Sequence, residues 1–81
     1  MYVGAVADLE YRDHRISVFV IYDRPSQFLL TPVVAIRRAE SSEVMATLLT
    51  EQAFVIEEEA TEFGFGLGRE WIDKRLSEPP G

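Results

Sequence analysis

The chain has 81 residues, a formal net charge of −6 and no cysteine, and 47% of its residues are hydrophobic against 27% charged. This length supports a single domain, 1–81, and the composition is that of a globular protein rather than a disordered one. The lack of cysteine excludes disulfides and thiolate metal sites, which favours a reducing, cytoplasmic location.

The negative charge is concentrated in the C-terminal part of the chain. Residues 1–50 contain five arginines and six acidic residues, whereas residues 51–81 contain three basic and eight acidic residues. Such an acidic segment repels phosphate groups, so binding to nucleic acid or to an anionic membrane is disfavoured. The N-terminus lacks the basic segment of a signal peptide, and no apolar run approaches the ~20 residues that span a bilayer. We therefore expect a soluble protein.

The first half of the chain predicts two β-strands joined by a turn. Apolar residues occupy the odd positions of Val3–Tyr11 and the even positions of Arg15–Tyr22, and this period of two is typical of half-buried strands. The intervening residues 12–14, Arg-Asp-His, are polar, and Asp and His tolerate positive φ better than most residues.

Two further strands are predicted after a loop at residues 23–27. The third is Phe28–Arg38, and the fourth, after a turn at 39–42, is Glu43–Thr50. Pro32 lies within the third strand and cannot donate a ladder hydrogen bond. It therefore indicates an edge strand, a bulge or a late strand start.

One amphipathic helix is predicted at Ile56–Leu76, followed by a frayed tail at 77–81. Thr50 could instead cap a helix that begins at Glu51, but the poor helix formers at 54–56 favour the later start. Four glutamates in the first turns and a basic last turn match the helix dipole. The apolar positions recur at steps of three and four: Ile56, Ala60, Phe63, Gly64, Leu67, Gly68, Trp71, Ile72 and Leu76.

Three glycines inside this helix predict close packing. Gly64, Gly66 and Gly68 should each cost about 0.8–1 kcal/mol relative to alanine. Gly64 and Gly68 lie one turn apart on the apolar stripe, so another backbone should approach the helix there, either its own sheet or a second copy of the helix. We expect Trp71 to anchor the core beside them, although a small-ligand pocket near Trp71 is an alternative.

Two short segments resemble a family of small uncharacterised bacterial proteins. These segments are Glu10-Tyr11-Arg12 with Arg15-Ile16, and the helical run Gly68-Arg69-Glu70-Trp71-Ile72-Asp73. The resemblance covers most of the chain and implies an antiparallel sheet, a C-terminal helix across one face and a homodimer. It implies no enzymatic role. This chain has Ile56 where the family has a capping Thr or Ser.

The sequence predicts no catalytic, metal or cofactor site. His14 is the single histidine; a metal would need companions such as Asp8 and Asp13, and a Ser-His-Asp triad lacks the nucleophile elbow. We expect His14 to be a solvated turn residue. The glutamates at 57–59 and 62 fit a solvated helix face, and the glycine run lacks the pattern of a phosphate loop.

The chain offers one candidate for nucleic-acid contact. Arg15, Arg37 and Arg38, with neighbouring aromatic residues, could form a small RNA- or nucleotide-binding patch on the sheet. Ordinary surface charge is the better explanation of these arginines. A nucleic-acid-associated regulator is therefore the alternative function rather than the first.

The predicted fold is α+β, a four-stranded antiparallel meander followed by one helix packed on one face. A single helix covers only one face of such a sheet, yet both faces are apolar. We therefore expect a non-enzymatic binding or assembly module that forms a homodimer, or that binds another protein, through the uncovered face. The predicted interface residues are Phe19, Ile21, Leu29, Val33 and Met45.

Overall fold

The computed structural model describes residues 2–22 and 29–77, with side chains from residue 6 onward. It contains four strands and one helix: β1 Tyr2–Tyr11, β2 His14–Tyr22, β3 Leu30–Arg38, β4 Val44–Leu48 and α1 Glu57–Ser77. The strands form one antiparallel sheet in the order β1-β2-β3-β4, and α1 packs on β2 and β3. The predicted α+β meander with a C-terminal helix is confirmed. The predicted loop at 23–27 and the tail beyond Ser77 lie outside the described residues.

The β1–β2 hairpin closes with a two-residue turn. Tyr11 pairs with His14, and Arg12 and Asp13 between them have φ angles of 48° and 65°. Positive φ at both central residues is the geometry of type I′ turns, whose twist matches that of the flanking strands. The positive φ therefore falls on Arg12 and Asp13, while His14 already belongs to β2.

Pro32 lies in an interior strand, so the interpretation of β3 as an edge strand is wrong. The backbone N–H and C=O of Leu30 both bond to Phe54, at 2.7 and 2.8 Å. The nitrogen of Pro32 points to that same side, because N–H groups of residues i and i+2 share a side of a strand. Pairing with β4 begins only at Val34. Proline thus occupies a short unpaired gap between the Phe54 bridge and β4.

The core lies between α1 and one face of the sheet. The sheet supplies Ile16, Val18, Val20, Leu30, Val34 and Ile36, each at most 4% exposed. The helix supplies small residues at four-residue steps, ending in one large side chain: Ala60, Gly64, Gly68 and Ile72. A Cβ at Gly64 would lie 2.7 Å from a methyl of Val18, and one at Gly68 would lie 2.6 Å from Ile16. The close approach is therefore to the helix's own sheet.

The helix begins at Glu57, which confirms the later start. The hydroxyl of Thr50 accepts a hydrogen bond from the amide of Gln52 at 3.1 Å, but no helix follows there. Phe54 stays extended against Leu30, and its ring packs at a tilt of 49° against that of Phe63 of the helix, with 5.1 Å between the ring centroids. Glu57, Glu58 and Glu59 are exposed, as predicted, and Lys74 lies 3.6 Å from Glu70.

The ends of the predicted apolar stripe are not buried. Ile56, which directly precedes the helix, is 53% exposed, and Leu76, its penultimate residue, is 47% exposed. In residues 2–22 and 29–77, no helix is long and apolar enough to cross a membrane.

Candidate functional site

A polar cluster fastens the helix to the first hairpin. The hydroxyl of Tyr11 lies 2.9 and 3.0 Å from the two carboxylate oxygens of Asp73, and Nη1 of Arg12 donates to the same carboxylate at 2.8 Å. The two segments that carry the family resemblance therefore meet in space. We call these three residues the Tyr11–Arg12–Asp73 latch.

The latch shifts the protonation of its members. Hydrogen bonds from Arg12 and then Tyr11 stabilise the carboxylate and lower the pKa of Asp73. The bond to Asp73, aided by partial desolvation, raises the pKa of Tyr11. The bond to Asp73 also raises the pKa of Arg12. The latch is thus fully formed around neutral pH.

His14 is buried, so the expectation of a solvated turn residue is wrong. It is only 6% exposed, and its Nδ1 donates to the backbone carbonyl of Arg12 at 2.7 Å. The tight I′ turn explains the burial, because it makes His14 the first residue of β2 on the helix-covered side. His14 lines a groove of about 640 Å³ together with Arg12, Arg38 and Arg75.

The uncovered sheet face has a polar end. Ser17, 1% exposed, donates to Asp8 at 2.6 Å and accepts a hydrogen bond from Arg37 at 3.1 Å. Arg15 lies 3.3 Å from Glu10. Within the described part of the chain, the buried Nε of Arg37 has no hydrogen-bond partner. Two arginines on this end are therefore held by neighbouring polar groups.

The same face has an apolar end beside this polar cluster. Val6, Phe19 and Val33 are register partners in one row across β1, β2 and β3. Val6 is 57% exposed, and Phe19 and Val33 are half-buried. Strand alternation places half-buried Ile21 on the same face of β2 as Phe19, and Leu29, also half-buried, directly precedes β3. We call the row Val6, Phe19 and Val33 the apolar row.

Met45 lies apart from the apolar row. It lies at the irregularity of β4, where the register against β3 shifts between Ile36 and Arg37. That position is about 13 Å along the sheet from Val33. Met45 is half-buried and lines a groove with Arg38 and Arg75. The structure therefore does not bring Met45 together with the other predicted interface residues.

The predicted packing residues Gly64, Gly68 and Trp71 lie on the side of the helix that packs against the sheet. Gly64 and Gly68 contact Val18 and Ile16, whereas an added Cβ at Gly66 would meet nothing within 4 Å. Trp71 is half-buried, packs against the core and carries the guanidinium of Arg75 at 5.6 Å from its ring centroid.

A groove of about 340 Å³ beside Trp71 is the candidate ligand pocket. Its charged lining residues, Glu70 and Lys74, already form an ion pair with each other. Of the polar groups that could orient a small ligand there, the two charged ones are therefore already engaged.

The predicted nucleic-acid residues divide between the two faces. Arg15 and Arg37 are cross-strand partners on the uncovered face. Arg38 pairs with His14 in register and lines the groove near Arg75 of the helix. Among the described residues, no group of three or more His, Asp or Glu side chains is placed to hold a metal ion.

Sequence reasoning missed the latch and the groove. The latch joins residues 62 positions apart, and no periodicity links a turn to a distant helix face. The one available signal was the resemblance, which picked out both segments. Comparison with protein-family models, with curated proteins and with solved structures finds no match for this chain.

Proposed function

We propose that this protein is a small non-enzymatic binding or assembly module that works as a homodimer. The apolar row on the uncovered sheet face carries this proposal. Its Val6 is 57% exposed, and it continues into half-buried Phe19 and Val33. Contiguous exposed apolar surface of this kind marks protein interaction sites. A second copy of the chain offers an equally apolar surface to cover it.

The neighbouring polar cluster suits the margin of such an interface. Protein interfaces commonly place an apolar centre within a polar rim. Here the acidic Asp8 and Glu10 of β1 lie beside the basic Arg15 and Arg37 of β2 and β3. A face that carries both charges can be complementary to a copy of itself, as a two-fold interface requires. A stable contact would bury ~800 Å² per protomer.

The proposal also covers the cellular location of the protein and its relationship to a family. Lack of cysteine supports a reducing, cytoplasmic location. The paired segments Glu10-Tyr11-Arg12 and Gly68–Asp73 support a relationship to the small bacterial family, and their contact through the latch gives a structural reason for both to occur together.

Light scattering of the purified chain at micromolar concentration tests the dimer. We expect twice the mass of one 9.2 kDa chain. Phe19→Glu and Val33→Glu should each yield monomers or aggregates, because a buried unpaired carboxylate is strongly unfavourable at an interface. Val6→Glu is the milder variant, since its side chain is exposed in the single chain.

Leu49→Glu is the matched control. Leu49 is 75% exposed and lines the groove beside Trp71 on the helix side of the sheet, so the dimer should persist. Circular dichroism of each variant separates dissociation from unfolding. The proposal would be overturned if the folded wild-type protein were a monomer. It would also be overturned if the Val6→Glu and Phe19→Glu variants both remained dimeric.

Nucleic-acid regulation is the weaker candidate. Arg15 and Arg37 are engaged by Glu10 and Ser17, and the chain carries a net charge of −6. A gel-shift assay at low salt with mixed RNA and DNA discriminates the two functions, because phosphate-backbone binding is salt-sensitive. An assembly module should show no such shift.

A further inference from the structure

Three arginines that are distant in sequence meet at one end of the molecule. Arg12 comes from the β1–β2 turn, Arg38 from the end of β3 and Arg75 from the last turn of α1. All three line one groove of about 640 Å³, which also contains the buried His14. We call it the His14 groove. It lies on the helix side of the sheet, opposite the apolar row.

The three guanidinium groups differ in whether another side chain of the protein already holds them. Arg12 is held by Asp73 at 2.8 Å, and Arg75 lies over the ring of Trp71 at 5.6 Å from its centroid. Arg38 is exposed and has no side-chain hydrogen bond or ion pair with the described residues. Arg38 and Arg75 are therefore available to a ligand, whereas Arg12 is a fixed positive charge.

His14 is the side chain of the groove that is both buried and fixed by a hydrogen bond. A carbonyl oxygen only accepts hydrogen bonds, so the short 2.7 Å contact with the carbonyl of Arg12 assigns the proton to Nδ1 of His14. This bond fixes the ring, which is 6% exposed. Nε2 makes no hydrogen bond to a described residue. Although the ring as a whole is buried, Nε2 keeps contact with solvent, so a ligand or water in the groove can bond to it.

The acidic residues of the groove limit the size of the ligand. Asp13 and Glu40 are exposed members of its lining. Together with the net charge of −6, they repel an extended polyanion. A compact oxyanion can instead contact the guanidinium groups alone, and their planar donor geometry matches phosphate oxygens.

We propose that the His14 groove binds a single phosphate group: Arg38 and Arg75 donate to its anionic oxygens, and its P–OH group donates to Nε2 of His14. The latch contributes by fixing Arg12, whose carbonyl positions the imidazole ring. The ligand is either free hydrogen phosphate or a small phosphomonoester as its monoanion, because both present anionic oxygens together with a P–OH group. This site is on the opposite side of the sheet from the proposed dimer face and does not depend on that proposal.

Proton NMR of His14 during titration with inorganic phosphate tests the site. The chain has one histidine, so its imidazole resonances are unambiguous. At constant pH and ionic strength, we expect these resonances to shift and to saturate. Arg38→Gln and Arg75→Gln should each weaken phosphate binding about tenfold, the effect of losing one charge-assisted hydrogen bond.

Arg15→Gln is the matched control, because it removes the same charge from the uncovered face. It should leave phosphate binding unchanged. Shifts that do not saturate, or equal weakening by Arg15→Gln and Arg38→Gln, would show general charge screening and overturn the proposal. An unshifted His14 in the folded wild-type protein would overturn it as well.

A second titration distinguishes the two ligand sources. Adenosine monophosphate is compared with inorganic phosphate, and adenosine serves as the control without phosphate. Tighter binding of the monophosphate supports a phosphomonoester, whereas equal affinity supports free phosphate. Binding of adenosine as tight as that of the monophosphate would contradict a phosphate site.

Discussion

The two faces of this sheet use similar residues but are buried to different extents. On the face under α1, Ile16, Val18 and Val34 are fully buried. On the opposite face, Phe19 and Val33 are half-buried although they alternate with those core residues along the same strands. The burial of these apolar residues is therefore decided by which face receives the helix, and residue type alone does not decide it.

The helix approaches its face closely because it presents almost no side chains there. Gly64 and Gly68 place their backbone against branched residues of β2. Branched sheet residues project outward and fill the space that a helical side chain would otherwise occupy. The two faces of the sheet thus pack differently. One face interlocks with the helix, and the other carries the apolar row beside a polar cluster.

Val34→Ala and Val33→Ala give the sharpest test of this difference, and Val34→Ala should have the largest effect. Val34 is fully buried under the helix, so removing its methyl groups should destabilise the fold by about 2–3 kcal/mol through lost burial and a cavity. Val33, its chain neighbour, should show about half that loss. Urea denaturation of both variants measures the contrast.

Protein concentration sharpens the same comparison. If Val33 is buried between two copies, its variant should lose more stability at high concentration than at low concentration, because dimerisation stabilises the folded state by mass action. Equal losses for both variants at every concentration would contradict the asymmetry of the two faces.

The glycines of α1 predict opposite effects for one substitution. Gly64→Ala should destabilise the fold by about 1–2 kcal/mol, since overpacking against Val18 exceeds the gain in helix propensity. Gly66→Ala has open space around the new methyl group and should stabilise by up to about 1 kcal/mol. Thermal denaturation of both variants decides whether close packing keeps Gly64, and stabilisation by both would argue against it.

The latch should give the smallest effect and a characteristic pH dependence. The pKa of Asp73 is lowered in the folded state, so its contribution to stability is present above the unfolded value of about 3.9 and is lost as pH falls through the folded value. Asp73→Asn should therefore be less stable than the wild type at pH 7, and the two should converge in strong acid.

Tyr11→Phe tests the contribution of the latch to stability at alkaline pH. The pKa of Tyr11 is raised on folding, so its contribution holds below about pH 10 and falls as pH rises through the folded pKa. Urea midpoints across the pH range measure both variants. A constant difference between wild type and Asp73→Asn from pH 7 to pH 2 would exclude the charged latch.

The local signals of the sequence predicted most of the fold. Alternation located all four strands within a few residues, and the steps of three and four located α1, which begins at Glu57. The edge-strand interpretation of Pro32 was wrong because proline removes only one hydrogen-bond donor. The fold leaves β3 unpaired at that position, between the Phe54 bridge and β4. His14 misled because a polar residue beside a turn was assigned to the turn, whereas a two-residue turn assigns it to the strand.

The sequence by itself determined the order and type of the elements and the apolar character of both sheet faces, because period and propensity act between near neighbours along the chain. Only the tertiary structure decided which face the helix covers, that Asp73 joins Tyr11 and Arg12, and that three arginines gather around His14. These contacts join residues far apart in the chain, and their geometry depends on how α1 crosses the sheet, which no local pattern encodes.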